Sequence, residues 1–479
     1  MKYLLSIILI ASMASSYGQT ATKSLATGTN SQVLVGRGVN GADFWGDATN
    51  KAQIATALSG TFVAATSGTA NNLTIVGSGS TFAGANVIYV SKATQATDTR
   101  TGLSKYDATR PFATLTAAQT VAVSGDTIMV LPGTYAEYGL GKDGVNWYFM
   151  PGSRIAVTAN LASEPSRFLF TDGGTGMSFG IYGQGNFTNT AENAETKSAK
   201  VGILSTTSSA TSVVFNFQDI VCGVNSSAGG AFACAFFADE TNTIRIKGSS
   251  VTCGSLISSA GSFTNCAGVD YTVTRVVGGG FTSTINVTND LYPDGVATIN
   301  IKVLETIGSA AADTFDVSSL YGTVYLTCDL IKNSSLGQCI HPQGTTSVVY
   351  VSAKEIISSS NAAVFAAGKL VLQADLITCL GKSAFDSVVY ASADTLDSSV
   401  ISGRIVASDA TDDGVQIFAG IALNLRNAVI VAGASALSIA KTYSGSNAIV
   451  RVDNVFSNKN VAVDVTQQVG TITISADVQ

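Results

Sequence analysis

Few residues in this 479-residue chain have types and spacings that could do chemistry. Three close pairs of aspartates stand out, Asp313/Asp316, Asp394/Asp397 and Asp412/Asp413. Paired carboxylates can serve general acid-base work, or help to hold Ca²⁺, which asks for about six to eight oxygens and usually several acids. None of the pairs has a third acid close by in sequence, so a neighbouring segment would have to supply it; solvated turn positions are the expected role. The single histidine, His341, sits in Cys339-Ile340-His341-Pro342-Gln343, and the adjacent proline marks it as a corner residue rather than an acid-base group. Arg245-Ile246-Lys247 reads as an outward-facing basic pair on a strand. Trp147, Tyr148, Tyr138 and Tyr182 are the aromatic candidates for stacking on sugar rings, although core and corner packing would use them equally well. No metal ligand set is assigned.

These side chains need elements to position them, and the stretch Val87 to Val157 shows the kind. Val87 to Val90 and Thr127 to Leu131 alternate with period 2, the second ended by Pro132-Gly133. Between them Phe112, Leu115, Ala118 and Ala122 recur at helical spacing, and Ser124-Gly125-Asp126 supplies the stop. The strand and its Pro-Gly corner return at Trp147 to Ile155, which is how a coil begins.

From Phe215 one register runs almost to the C-terminus: apolar, any, small or apolar, two of any kind, apolar. Its third positions are Phe217, Gly248, Val273, Ile301, Cys328, Ala353, Ala374, Ala393, Leu425 and Val452. The mean step is about 26 residues, a period that means stacked supersecondary units. Alternation before each anchor makes a strand, the two-residue skip a bend, and the next apolar residue a second inward-facing strand. Five positions on come Cys222, Cys253, Gly278, Thr306, Asn333, Ser358, Cys379, Ser398, Ile430 and Ser457, nearly all small. Cys222 and Cys253 should therefore be vertical neighbours in a ladder, with no need of a bond between them. An antiparallel sandwich would require hairpin signals every 8 to 12 residues or so, which are missing.

The elements Tyr89-Val90, Thr101-Gly102-Leu103, Pro111-Phe112-Ala113-Thr114-Leu115, Gly125-Asp126-Thr127-Ile128 and Pro132-Gly133-Thr134-Tyr135-Ala136-Glu137 resemble the opening of pectate-lyase-like right-handed parallel β-helix proteins. The resemblance implies an all-β, single-stranded parallel β-helix with a short helix, Phe112 to Val123, lying across its N-terminal end and burying Phe112 and Leu115. It does not imply one activity, because lyases, hydrolases, epimerases, phage tailspikes and adhesins share that opening. Arg245-Ile246-Lys247 is similar to an element of polygalacturonase-type hydrolases, and Asp412-Asp413-Gly414 to their paired acids, but the order is reversed and their glycine-flanked histidine is missing. The expected function is thus recognition of a polysaccharide or cell-surface glycan along a lateral face, in the manner of a tailspike, tail fibre or adhesin. The alternative is a secreted polysaccharide lyase or glycoside hydrolase, which would show an acid and a base, or three acids, converging in one lateral groove. No resident cofactor is expected, with Ca²⁺ entering only for a lyase.

Composition agrees with export. Residues 1–18 read as a signal peptide, with Leu4 to Ala11 as its apolar run and Ser16-Tyr17-Gly18 as the cleavage site, too short for a permanent membrane span. A secreted protein, or one on a virion surface if phage-encoded, is the expectation. Charged residues make up only 12 %, with 26 basic against 32 acidic and no basic cluster, which argues against nucleic acid and anionic membranes as partners. Residues 19–86 form a Gly/Ser/Thr-rich extended region, and residues 87–479 the β-helix. Within the former, Ser31 to Trp45 resembles a short module of phage tail-fibre proteins, a strand and turn closing on a tryptophan. The final alternating segment, Val469 to Gln479, carries no cap, so self-association, as in trimeric tailspikes, is expected to cover it.

Overall fold

The computed structural model describes residues 32–35, 44–47 and, from 86 onward, the chain apart from segments 94–95, 100–104, 159–165, 173–176, 191–199, 207–211, 224–232, 241–242, 254–257, 279–282, 289–297, 309–312, 318–321, 344–347, 384–386, 392–398, 418–421, 440–447, 464–471 and 478–479. The signal peptide expected at 1–18 lies outside the described residues. The chain divides into two compact units, residues 1–87 with 106–111, and residues 88–105 with 112–479. In the first unit Gln32–Val35 pairs antiparallel with Phe44–Asp47, setting Leu34 opposite Trp45.

The second unit is a right-handed parallel β-helix with two parallel sheets. In the early coils a pair of short strands turns on a bend, as in Thr127–Val130 with Gly133–Tyr135 and Asn146–Phe149 with Ser153–Val157. From Thr243–Cys253 on, the two halves fuse into one strand, 11 residues long in Gly268–Gly278, Thr298–Gly308, Thr323–Asn333, Val348–Ser358 and Lys369–Cys379. The starts of the last five are in register, with steps of 30, 25, 25 and 21 residues. The second sheet is made of short strands, among them Ile285–Thr288, Phe315–Val317, Ile340–Pro342, Val364–Ala366 and Ser387–Ala391.

Inward residues of both sheets fill the space between them. The early coils carry an aromatic column in which Phe149 and Phe187, Phe187 and Phe215, and Phe215 and Phe236 stand 5.0, 5.2 and 5.4 Å apart at steep angles. Edge-to-face pairs of this kind add about 0.5–1.5 kcal/mol each beyond the apolar area they bury. Farther along, Ile, Val, Leu and Ala take over.

The helix, α1, runs only from Leu115 to Val121. Pro111 cannot donate, and Phe112 instead bridges to Val90, its N–H donating to the Tyr89 carbonyl. Thr114 caps the helix by accepting from the Ala117 N–H, and Phe112, Leu115, Ala118 and Ala122 are all buried. At the other end Lys105 Nζ donates to the Val121 carbonyl and lies 2.7 Å from Asp126 Oδ2, which also accepts from the Val123 N–H. A cation at a helix C-terminus is favourably placed.

The repeat register holds in part. Gly248 pairs with Val273, Cys328 with Ala353, and Ala353 with Ala374, as the pattern requires. Val273, however, pairs with Val303 and not Ile301. Ile299, Ile301 and Val303 alternate without a break, and the inward residue after the bend is Thr306, fully buried with its hydroxyl 3.8 Å from Cys328 Sγ, where an apolar residue was expected. Ala374 pairs with Gly403; the strand leading to Ala393 belongs to the short-strand sheet, and Ala393 itself falls outside the described residues. Leu425 pairs with Ile401, two places before the bend, where the register shifts. The small-residue ladder holds with Gly308 in place of Thr306 and Ala407 after Cys379, the expected Ser398 lying outside the described residues: Cys222 pairs with Cys253, and Gly278, Gly308, Asn333, Ser358, Cys379 and Ala407 follow in succession. All seven cysteines are buried.

Candidate functional site on the short-strand face

The strands Phe315–Val317, Ile340–Pro342 and Val364–Ala366 each turn two apolar residues inward and one residue outward. Ile340 and Pro342 are buried and His341 between them is half-buried; Phe315 and Val317 flank Asp316, and Val364 and Ala366 flank Phe365 in the same way. Register stacks the outward residues in a row, one per coil: Asn286 beside Asp316, Asp316 beside His341, His341 beside Phe365, Phe365 beside Tyr390. Adjacent coils are about 4.8 Å apart, so neighbouring side chains in this row touch.

Two of these, Asp316 and His341, form a tight polar cluster with Asp313. Asp313, just ahead of its strand, accepts the Gln338 N–H on Oδ1 and places Oδ2 2.6 Å from His341 Nδ1. The histidine therefore carries its proton on Nδ1, pointing at Asp313. Gln343 Nε2 lies 3.0 Å from Asp316 Oδ1 and 3.1 Å from His341 Nδ1; with Nδ1 protonated, its amide donates to Asp316. Burial pushes the Asp316 carboxyl above its ordinary range; His341 works against that, Asp313 adds to it, and hydrogen bonds from Gln343 and Ser283 oppose it. Beyond the cluster the His341 ring meets Phe365 edge-on at 4.6 Å, and Phe365 meets Tyr390 at 5.0 Å.

Sequence reasoning singled out some of these groups and misjudged their role. Asp313 and Asp316 are not solvated turn aspartates, and His341 is not a corner residue. The third partner that sequence neighbours lacked comes from the next coil. Asp412 and Asp413 are buried loop fasteners, accepting the N–H groups of Ser383 and Ser435, and Asp394/Asp397 lie outside the described residues. Arg245 and Lys247 do face outward, on the long-strand sheet, where Arg245 stands 3.6 Å from Asp270.

The four aromatic candidates divide. Trp147 is fully buried, packed on Phe149 and Phe170, and offers no face to a ligand. Tyr148 and Tyr182 are half-buried register neighbours on the long-strand sheet, and Tyr138 is exposed. None of the four joins the row that holds His341. Phe365, Tyr390, Asn286 and Gln343 were missed; the signal for the row was a recurring apolar-any-apolar triplet, too short to detect coil by coil.

Among the described residues no helix is long and apolar enough to cross a membrane. Compared with known proteins, the chain matches no family model, no curated protein and no solved structure.

Proposed function

We propose that this protein is an exported glycan-recognition protein of the pectate-lyase-like β-helix type, and that it holds a polysaccharide or cell-surface glycan along its short-strand face. The observation that carries this reading is the row in which the half-buried ring of Phe365, backed by the largely buried Tyr390, continues directly from the Asp313, Asp316 and His341 cluster. Apolar ring faces beside a few fixed polar groups are what a sugar needs, since each pyranose offers a C–H face and a rim of hydroxyls. Tyr148 and Tyr182 give the long-strand face a smaller aromatic patch that could extend the contact. Glycan-array binding by the intact chain tests the proposal: Phe365→Ala and Tyr390→Ala should each weaken binding by about tenfold, in line with about 1.4 kcal/mol per lost contact. Binding unchanged in both variants would remove this face as the site.

The hydrogen-bonded Asp313 and His341 favour a second reading, a lyase or hydrolase acting at the same place, because the aspartate orients the ring and leaves Nε2 as the basic nitrogen. Incubation with uronate and neutral polysaccharides, with and without Ca²⁺, followed by assay for unsaturated and reducing ends, separates cleavage from binding. We also place a second copy of the chain, in a trimer, against Ile472–Asp477, which pairs with Ala448–Asp453 and with no other strand among the described residues. A monomer by light scattering at micromolar concentration would exclude that assembly.

A further inference from the structure

The geometry points to a divalent transition-metal site formed by Asp313, Asp316 and His341. One oxygen from each carboxylate and a ring nitrogen of His341 lie within 4.8 Å of one another. Small side-chain adjustments bring such a set onto one ion at about 2.0–2.2 Å from each ligand. Asp and His side chains are short, and the backbone register fixes two of these, Asp316 and His341, on adjacent strands.

Charge argues in the same direction. Two neighbouring carboxylates are half-buried, and among the described residues neither pairs with a lysine or arginine; His341 is the only basic group against them. A cation between them would relieve the repulsion of the two carboxylates. An independent feature lies next to the cluster. Asn286, the register neighbour of Asp316 in the outward row, has its Oδ1 sealed from solvent with no hydrogen-bond partner. Buried polar atoms are ordinarily satisfied, and an amide oxygen in the coil next to Asp316, without a partner among the described residues, is a candidate fourth donor. Supporting contacts are already present, from the Gln338 N–H to Asp313, from Gln343 to Asp316, and from Phe365 against the ring.

The mixed donor set selects the ion. Ca²⁺ takes oxygen ligands alone, whereas one imidazole with two carboxylates and an amide suits Zn²⁺, Co²⁺ or Mn²⁺. On binding, Nδ1 would become the ligand in place of its contact with Asp313, with the ring proton carried on Nε2. The thiols, all buried, do not compete for the ion in the folded chain. None of this depends on the saccharide reading.

The test is isothermal titration of the intact, metal-stripped chain with ZnCl₂, with the visible absorption of added Co²⁺ as a second readout. One ion per chain is expected, with at least tenfold weaker binding in His341→Gln and in Asp316→Asn, a smaller loss in Asn286→Ala, and no comparable response to CaCl₂. Circular dichroism and melting of each variant show that it is folded, and Asn286→Ala and Asp313→Asn decide the matter if another variant is not. Arg245→Ala, on the long-strand sheet and away from the ligands, should keep its metal. Absence of saturable binding, or equal affinity in the wild type and the ligand variants, would overturn the assignment.

Discussion

Gly308 provides a direct test of how tightly the coils are stacked. It stands in the ladder between Gly278 and Asn333, and a β-carbon built there would lie 2.5 Å from Thr314 Oγ1, 3.3 Å from Thr284 Oγ1 and 3.4 Å from Asn333 Nδ2. Ordinary contact begins near 3.5 Å, so Gly308→Ala has to find about 1 Å between close-packed neighbours. Overpacking on this scale costs about 1–3 kcal/mol, offset by roughly 0.4–1 kcal/mol from a less flexible unfolded chain, leaving a net loss of about 1–2 kcal/mol. Thr314→Ala removes the nearest atom and, with it, contacts to the Lys332 carbonyl and the Asn333 amide, at a cost of about 1 kcal/mol by itself. In the double variant the clash is gone, so the two losses should fail to add by about 1–2 kcal/mol. Guanidinium denaturation followed by circular dichroism measures this, with hydrogen exchange of the amides around residues 308 and 333 as a local readout, because stacked coils can open piecemeal. An unchanged midpoint for Gly308→Ala, or strict additivity with Thr314→Ala, would refute the packing described for this corner.

Asp126→Asn leaves Lys105 charged and enclosed beneath α1, and should cost about 3–5 kcal/mol, seen as early loss of protection in residues 112–123. Native protein should show no thiol reactive toward a disulfide reagent at neutral pH, and seven after denaturation: burial pushes Cys328 and Cys379 up to about 11 and Cys339 higher still, while Cys222 is raised first by its hydrogen bond with Cys253 and then by burial. Asp316 has its folded pKa raised, so the fold favours its protonated form, and the stability gained that way is lost as pH rises through that raised value. Asp316→Asn should accordingly raise the melting temperature of the metal-free protein at neutral pH, with the gain fading in acid. A lower melting temperature at neutral pH would show that the carboxylate is held by contacts stronger than its burial.

The coil, the parallel pairing, the buried Phe112 and Leu115 and the Cys222/Cys253 neighbours were legible because long strands repeat a pattern over many residues. One error arose where the interior was not apolar. Thr306 points inward as a hydroxyl, and that alone shifted one coil by two places. The candidate site was illegible for a different reason: its row is sampled once per coil, by triplets such as Ile340-His341-Pro342 and Val364-Phe365-Ala366, and three residues carry too little periodicity to stand out. Nor could sequence distance reveal that Asp313 and His341 meet, since they lie 28 residues apart and a coil closes between them. Trp147 misled because an aromatic residue looks the same in sequence whether its ring is sealed inside or presented to a ligand.

The short strands divide labour in a way that bears on how such a protein changes over generations. In each triplet the outer two residues hold the coil together, while the middle one is free of the interior. A substitution there alters one letter in a column that runs Asn286, Asp316, His341, Phe365, Tyr390, and leaves the two inward residues of its triplet in place, although Tyr390 is itself buried and Asp316 and His341 are tied into the polar cluster. Where the outward side chain makes no buried polar contact, such a change is usually worth less than about 0.5 kcal/mol. New specificities can therefore be explored one rung at a time, at little risk to folding, and lineages sharing this scaffold would be expected to diverge fastest along that single column.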